Sequence, residues 1–181
     1  MYTYSFTGLL VLIFLAYAYA TYIQPSSLKI YDSADLGIKF EYPSTYFLSE
    51  SEVGFGQRRH YSIILTTDTQ GSRDMITGKA VGEGPTAITI DAYQNDIDGY
   101  STEDWIRGSG ISNFRLSNGA LKQATVSGHH ALQYSWSGLY EADSIVVATR
   151  RYVLSFTATH LTKTDQIRID FEDLIKTVKF E

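Results

Sequence analysis

Through most of this chain apolar and polar residues alternate one by one, and only near the end does the period lengthen. Leu36, Ile38, Phe40 and Tyr42 point one way while Lys39 and Glu41 point the other. That is the period of a strand with one buried face. It predicts a strand over residues 36–42, preceded by one over 29–33. Pro43 should stop it, having no amide hydrogen to give to a ladder. Residues 46–49 extend the pattern, and Gly54 and Gly56 mark a loop. Further strands are expected over 61–66, 86–93, 121–126, 130–136, 144–149 and 151–159, with a turn at Ser127 and Gly128. His130, Leu132, Tyr134 and Trp136 share a face, as do Tyr152, Leu154, Phe156 and Ala158. Residues 68–84 are polar and glycine-rich, and read as a long hairpin connection or mobile loop.

Two segments read as helices. Ser101 is placed to cap a short one, with Asp104 three residues on, an acidic first turn, and Gly108 and Gly110 to end it. Tyr100 and Trp105 are spaced as a hydrophobic staple across that cap. Near the end, Ile167, Phe171, Leu174, Ile175 and Val178 fall on one helical stripe, with Thr162 and Asp165, or Thr164, as the cap. This helix is expected to lie on the sheet, so Phe171→Ala should cost about 3 kcal/mol or more. The connections are mostly hairpin-length, which makes the class α+β with a mainly antiparallel sheet.

The first residues differ from all of this. No charged side chain precedes Lys29, residues 9–15 are wholly apolar, and Ala16, Ala18 and Ala20 follow in a small-x-small pattern. The segment is either a signal peptide or an uncleaved anchor, an N-terminal hydrophobic helix over residues 1–23. Residues 4–23 have about the length that crosses a bilayer, and Tyr17, Tyr19 and Tyr22 would sit at the outer interface; the anchor is the preferred reading. A linker over 24–28 leads to a domain over 29–181.

Composition narrows the function. The chain has 181 residues, 44% hydrophobic and 19% charged, enough for one ordinary core. A net charge of -5 argues against a nucleic-acid partner, whose phosphates need a basic patch. The absence of cysteine removes disulfides, thiolate metal sites, thiol nucleophiles and cysteine-linked lipid anchors.

Three features together resemble the PsbP-like superfamily, which includes PsbP itself and DcrB-type bacterial extracytoplasmic domains. They are the strand Leu36-Gly-Ile-Lys-Phe-Glu-Tyr-Pro43, the mid-chain helix Ser101-Thr-Glu-Asp-Trp-Ile106, and Val126-Ser-Gly-His-His-Ala131 ahead of a closing helix at Val178-Lys-Phe180. The resemblance implies a central antiparallel sheet flanked by helices, an α/β/α sandwich. It also implies an extracytoplasmic protein without catalytic activity. No cofactor is expected. No photosynthetic role carries over, because the chain lacks a lysine-rich N-terminal region and its leader does not look like a plastid transit peptide.

The candidate sites are sparse. Tyr134, Trp136, Tyr140 and Tyr152 could line a groove for a peptide, glycan or protein at the cell envelope. The acidic stretch 91–104 fails as an EF-hand, because Gly99 at the sixth position puts Gln94 first and Trp105 twelfth. A looser cation site would draw on Asp96, Asp98 and Glu103, with His129 as an imidazole donor; the plainer reading is a solvated turn before a capped helix. His129 and His130 are adjacent on a strand and point to opposite faces. No Gly-x-Ser-x-Gly turn is present, and Gly82-Glu-Gly84-Pro lacks the third glycine and following helix of a nucleotide loop. The expected role is therefore a non-enzymatic accessory or binding module. The rivals are a metal-assisted hydrolase built on histidines and the acidic loop, and a structural envelope protein whose partner docks on a sheet edge.

Overall fold

In a computed structural model the chain is described over residues 27–53 and 58–181. The leader at 1–23, most of the 24–28 linker and the glycines at 54 and 56 lie outside the described residues. Among the described residues no helix is long and apolar enough to cross a membrane.

Strands β1 (Leu28–Ser33) and β2 (Ile38–Pro43) form an antiparallel hairpin, and β10 (Lys179–Phe180) adds to the free side of β2. The turn between β1 and β2 needs Gly37, whose φ is +63°. A Cβ there would also meet the carbonyl oxygen of Glu181 at 3.1 Å. That close approach lets the amide of Glu181 donate to Gly37 O at 3.0 Å, fastening the last residue to this turn.

The larger sheet has seven strands, all antiparallel to their neighbours, in the order β3-β4-β5-β9-β8-β7-β6. They are β3 (Tyr46–Glu52), β4 (His60–Thr67), β5 (Ile88–Gln94), β6 (Lys122–Val126), β7 (His129–Ser137), β8 (Glu141–Ala148) and β9 (Tyr152–His160). The alternation read from the sequence sets its register. Ile63 pairs with Ile90 and Ile90 with Phe156, while Leu65 pairs with Ile88 and Ile88 with Ala158. All of these lie on one face and are buried. Helix α3 (Gln166–Thr177) covers that face with Ile167, Phe171 and Leu174, and the small sheet adds Tyr31, Leu36, Ile38, Phe40 and Tyr42. The expected stripe is thus the buried one.

The other face carries a second, smaller core. Helix α2 (Thr102–Gly108) places Trp105 and Ile106 against Leu132, Tyr134, Val146 and Val153. Ser101 is its N-cap, its hydroxyl accepting from the amide of Asp104 at 3.1 Å. The staple is different from the expected one. Trp105 packs on the Tyr93 ring at 5.1 Å, and Tyr100 stays exposed because its main chain is drawn to Asn95.

Two local expectations are corrected. The stretch 68–84 is not loop throughout: α1 (Gln70–Ile76) forms there, with Thr69 as N-cap accepting from the amide of Ser72 at 3.1 Å. Arg73 on that helix lies over the Phe47 ring and pairs with Asp68, contacts between residues that the local pattern does not link. The N-cap of α3 is Asp165, yet its carboxylate turns back and accepts from the amides of Leu161 and Thr162 instead of capping the first turn.

Candidate functional site

The alternation that fills the core changes character where β6, β7 and β8 approach their ends. On the α3-facing side, Val147 and Ile145 are followed along β8 by Asp143, and Ala131 along β7 by Gln133 and Ser135. The sheet edge also opens here. Ser117 bridges Trp136 and Lys122 pairs with Gln133, so the four residues 118–121 face only Tyr134 and Ser135. The chain bows outward as a bulge would make it. The result is a cleft of about 220 Å³ between the bowed edge and α3. Lys122, Gln133, Ser135 and Asp143 form its floor, Arg168, Phe171 and Glu172 one wall, and Asn118 and Ala120 the other.

The charges in the cleft form a chain. Arg168 Nε donates to Asp143 Oδ2 at 2.7 Å, and its Nη1 lies 2.9 Å from Glu172 Oε1. The Ser135 hydroxyl donates to Asp143 Oδ1 at 2.5 Å. Burial pushes the Asp143 carboxyl up, but the Ser135 hydroxyl and the Arg168 guanidinium outweigh it and hold the group below the usual carboxylate range. Behind it sits His160, only 3% exposed, with neither ring nitrogen hydrogen-bonded among the described residues. Its Nε2 is 3.4 Å from Asp143 Oδ2, without the alignment of a hydrogen bond.

This geometry limits the chemistry. Asp143 stands between Ser135 and His160, so the serine hydroxyl faces a carboxylate already paired with arginine. A nucleophilic serine needs a base to take its proton, and the carboxylate's part is to orient that base. Here the order is different, and the set holds charge in place. Lys122 on the edge strand and Gln133 beside it offer donor groups to an arriving ligand.

The aromatic candidates do not make one groove. Tyr134 is buried and donates to Ser112 O at 2.5 Å; burial pushes its phenol up to about 12. Trp136, on the same face, donates to Ser144 Oγ at 3.0 Å, and Tyr140 donates to Gly84 O at 2.8 Å. Tyr152 is buried on the opposite face, in the core under α3. Alternation along separate strands decides this, since β9 turns Tyr152 away from the side that β7 gives to Tyr134 and Trp136.

Two of the acidic-loop candidates are committed elsewhere. Asp98 takes a two-pronged contact from Arg58, 2.6 Å at each oxygen, and Glu103 pairs with Arg107 at 2.7 Å. Asp96 and His129 do line one open depression of about 460 Å³, together with His130 and Arg150. There His129 Nδ1 donates to Ser127 O at 3.1 Å and His130 Nε2 to Gln123 Oε1 at 2.6 Å. His60 pairs with Asp91 at 2.8 Å and stacks on Tyr93, on the face away from α3. Among the described residues no three imidazole or carboxylate groups gather as metal ligands would.

Sequence reasoning missed Ser135, Asp143 and Arg168, and the place of His160 beside them. A weak signal was present. Asp143 occupies the inward register of β8, and His160 extends the Tyr152-to-Ala158 alternation. A charged or titratable group in a buried register needs a partner.

With this architecture and cleft in view, the fold is PsbP-like. The chain matches the solution structure of cyanobacterial PsbP (CyanoP) from Synechocystis sp. PCC 6803, with a TM-score of 0.53 and 12% sequence identity, over 88% of this chain and 95% of that one. At that identity the likeness is one of fold. No protein-family model matches the sequence, and no curated protein matches it.

Proposed function

We propose that this chain is a non-catalytic accessory module that works outside the cytoplasmic membrane and receives a protein or peptide partner at the cleft between β6 and α3. Residues 29–181 form the working domain, joined by the linker at 24–28 to a membrane anchor at 4–23. The PsbP-like fold supports an accessory role. The apolar, uncharged stretch before Lys29 supports export and tethering.

The observation that carries the reading is the cleft itself. It lies at β6, an edge strand of the large sheet. Such an edge offers main-chain groups to an added strand, and the cleft beside it offers Lys122 and Gln133 for side-chain recognition. The Asp143–Arg168–Glu172 chain keeps the α3 wall fixed, so partner binding pays little ordering entropy.

Site-specific photo-crosslinking in cell envelopes tests it. A photoreactive residue at Gln133 should capture a defined partner, one at exposed Ile169 should not, and Lys122→Glu should abolish capture at 133. Equal capture from both positions, or hydrolytic turnover lost in Asp143→Asn, would overturn the reading.

A further inference from the structure

The two ends of the seven-stranded sheet expose different surfaces. One end carries residues 68–87 between β4 and β5, residues 138–140 between β7 and β8, and residues 161–165 between β9 and α3. The pairings Leu65 with Ile88, Ile88 with Ala158, Glu141 with His160 and Ser137 with Glu141 put these connections side by side. Tyr140 donates to Gly84 O at 2.8 Å and ties two of them together across the sheet twist. The chain also emerges here. Ser27 O accepts from the amide of Ser44 at 2.7 Å, in the connection just before β3.

Each of these connections exposes a large aliphatic side chain. Val81 is 102% exposed, Leu161 68% and Leu139 66%, and Leu28 at the start of β1 is 58%. Neither chain neighbour of Val81, Leu139 or Leu161 is an acid, lysine or arginine. Leu28 adjoins Lys29, whose long stem can lie along apolar surface with its ammonium in water. The opposite end exposes Ile97 and Val53 too, but Ile97 sits between Asp96 and Asp98, and Val53 follows Glu52. Arg58, Arg59, Arg150 and Arg151 also lie at that end.

We propose that the end carrying Val81, Leu139, Leu161 and Leu28 rests on the bilayer, with these side chains at the headgroup–acyl boundary. The inference depends on residues 4–23 being a membrane anchor. From Ile23 to Ser27 an extended chain reaches at most roughly 14 Å, so an anchored domain stays near the interface. Apolar side chains at several loop tips bind such an interface by burying area, without a charge requirement. Glu83, Glu141 and Asp165 near the same end are offset by Lys79 and Lys163, and Arg73 is paired with Asp68, so charge gives no net pull toward an anionic surface and the matching lipid is zwitterionic.

The test uses the full chain reconstituted in phosphatidylcholine vesicles. The protein has no cysteine, so Val81→Cys, Leu139→Cys, Leu161→Cys and Ile97→Cys each give a single spin-label site. Labels at 81, 139 and 161 should collide with oxygen several-fold more, relative to a water-soluble nickel chelate, than the label at 97. If the chain floats with the vesicles but all four labels are equally open to nickel, the seating is wrong and the anchor stands. If the chain does not float with the vesicles, the anchor fails and the seating with it. Labels shielded from both agents, with spin–spin broadening, would assign this end to a second copy of the chain and overturn the lipid assignment.

Discussion

On the face toward α3, β4, β5 and β9 present Ile63, Leu65, Ile88, Ile90, Leu154 and Phe156; on the face away from it the same strands present Ser62, Thr66, Thr89, Asp91, Ser155 and Thr157. The first set makes an apolar core with the small sheet and the closing helix. The second is held by hydrogen bonds. Thr66 donates to Thr86 O, Thr159 exchanges bonds with Ala87, and Ser144 and Thr157 lie 2.9 Å apart. Near α2 that second face gains an apolar cover, with Trp105 and Ile106 set among Leu132, Tyr134, Val146, Val153 and Tyr93. The comparison separates two sources of order. Area burial stabilises one face, while hydroxyl pairing keeps buried main-chain groups of the other satisfied. The cleft lies where the apolar face runs out into Gln133, Ser135 and Asp143, so a charged site has a rigid core directly behind it.

Four measurements sharpen or break that contrast. Phe156→Ala empties the centre of the apolar face and should cost about 3–5 kcal/mol in denaturant unfolding. A loss under about 1 kcal/mol would mean that this face is not the main core. Arg168→Ala takes the guanidinium away from Asp143; because Arg168 is partly exposed, the loss should be about 1–2 kcal/mol. Double-mutant coupling with Asp143→Asn checks whether that loss belongs to the pair.

On the hydroxyl face, Ser144→Ala strands the indole N–H of Trp136 and the Thr157 hydroxyl, and should cost about 1 kcal/mol. Near-ultraviolet circular dichroism would report the change around Trp136. The smallest effect is in acid. The Asp143 carboxyl is depressed in the folded chain, so its contribution is present above its unfolded pKa of about 3.9 and is lost as pH falls through the lower folded value. Unfolding curves between neutral pH and pH 3 should therefore differ less for Asp143→Asn than for the parent chain.

Strand alternation was readable because burial acts on side chains in a strict period of two, whatever the neighbouring strands are. Residues 36–42 and 151–159 illustrate it, each matched by an observed strand within two residues at either end. The stripe from Ile167 to Val178 was readable for the same reason at the longer period. Helix α1 was not, because its Arg73 contacts Asp68 and Phe47 in geometry that polar composition does not reveal. Tyr134 and Trp136 lie on β7, Tyr140 just beyond it and Tyr152 on β9, and which face each strand shows depends on sheet packing that residue type does not reveal.

By itself, then, the sequence determined the class, the buried register of most strands, the closing helix and the cap at Ser101. These follow from local forces, namely the period of apolar side chains, turn chemistry and capping. The tertiary structure alone decided that β10 completes a separate small sheet and that Ser135, Asp143, His160 and Arg168 meet. It also decided which end of the sheet collects the exposed aliphatic tips. Those depend on strand order, and strand order is set by the packing of distant segments, which no local pattern encodes.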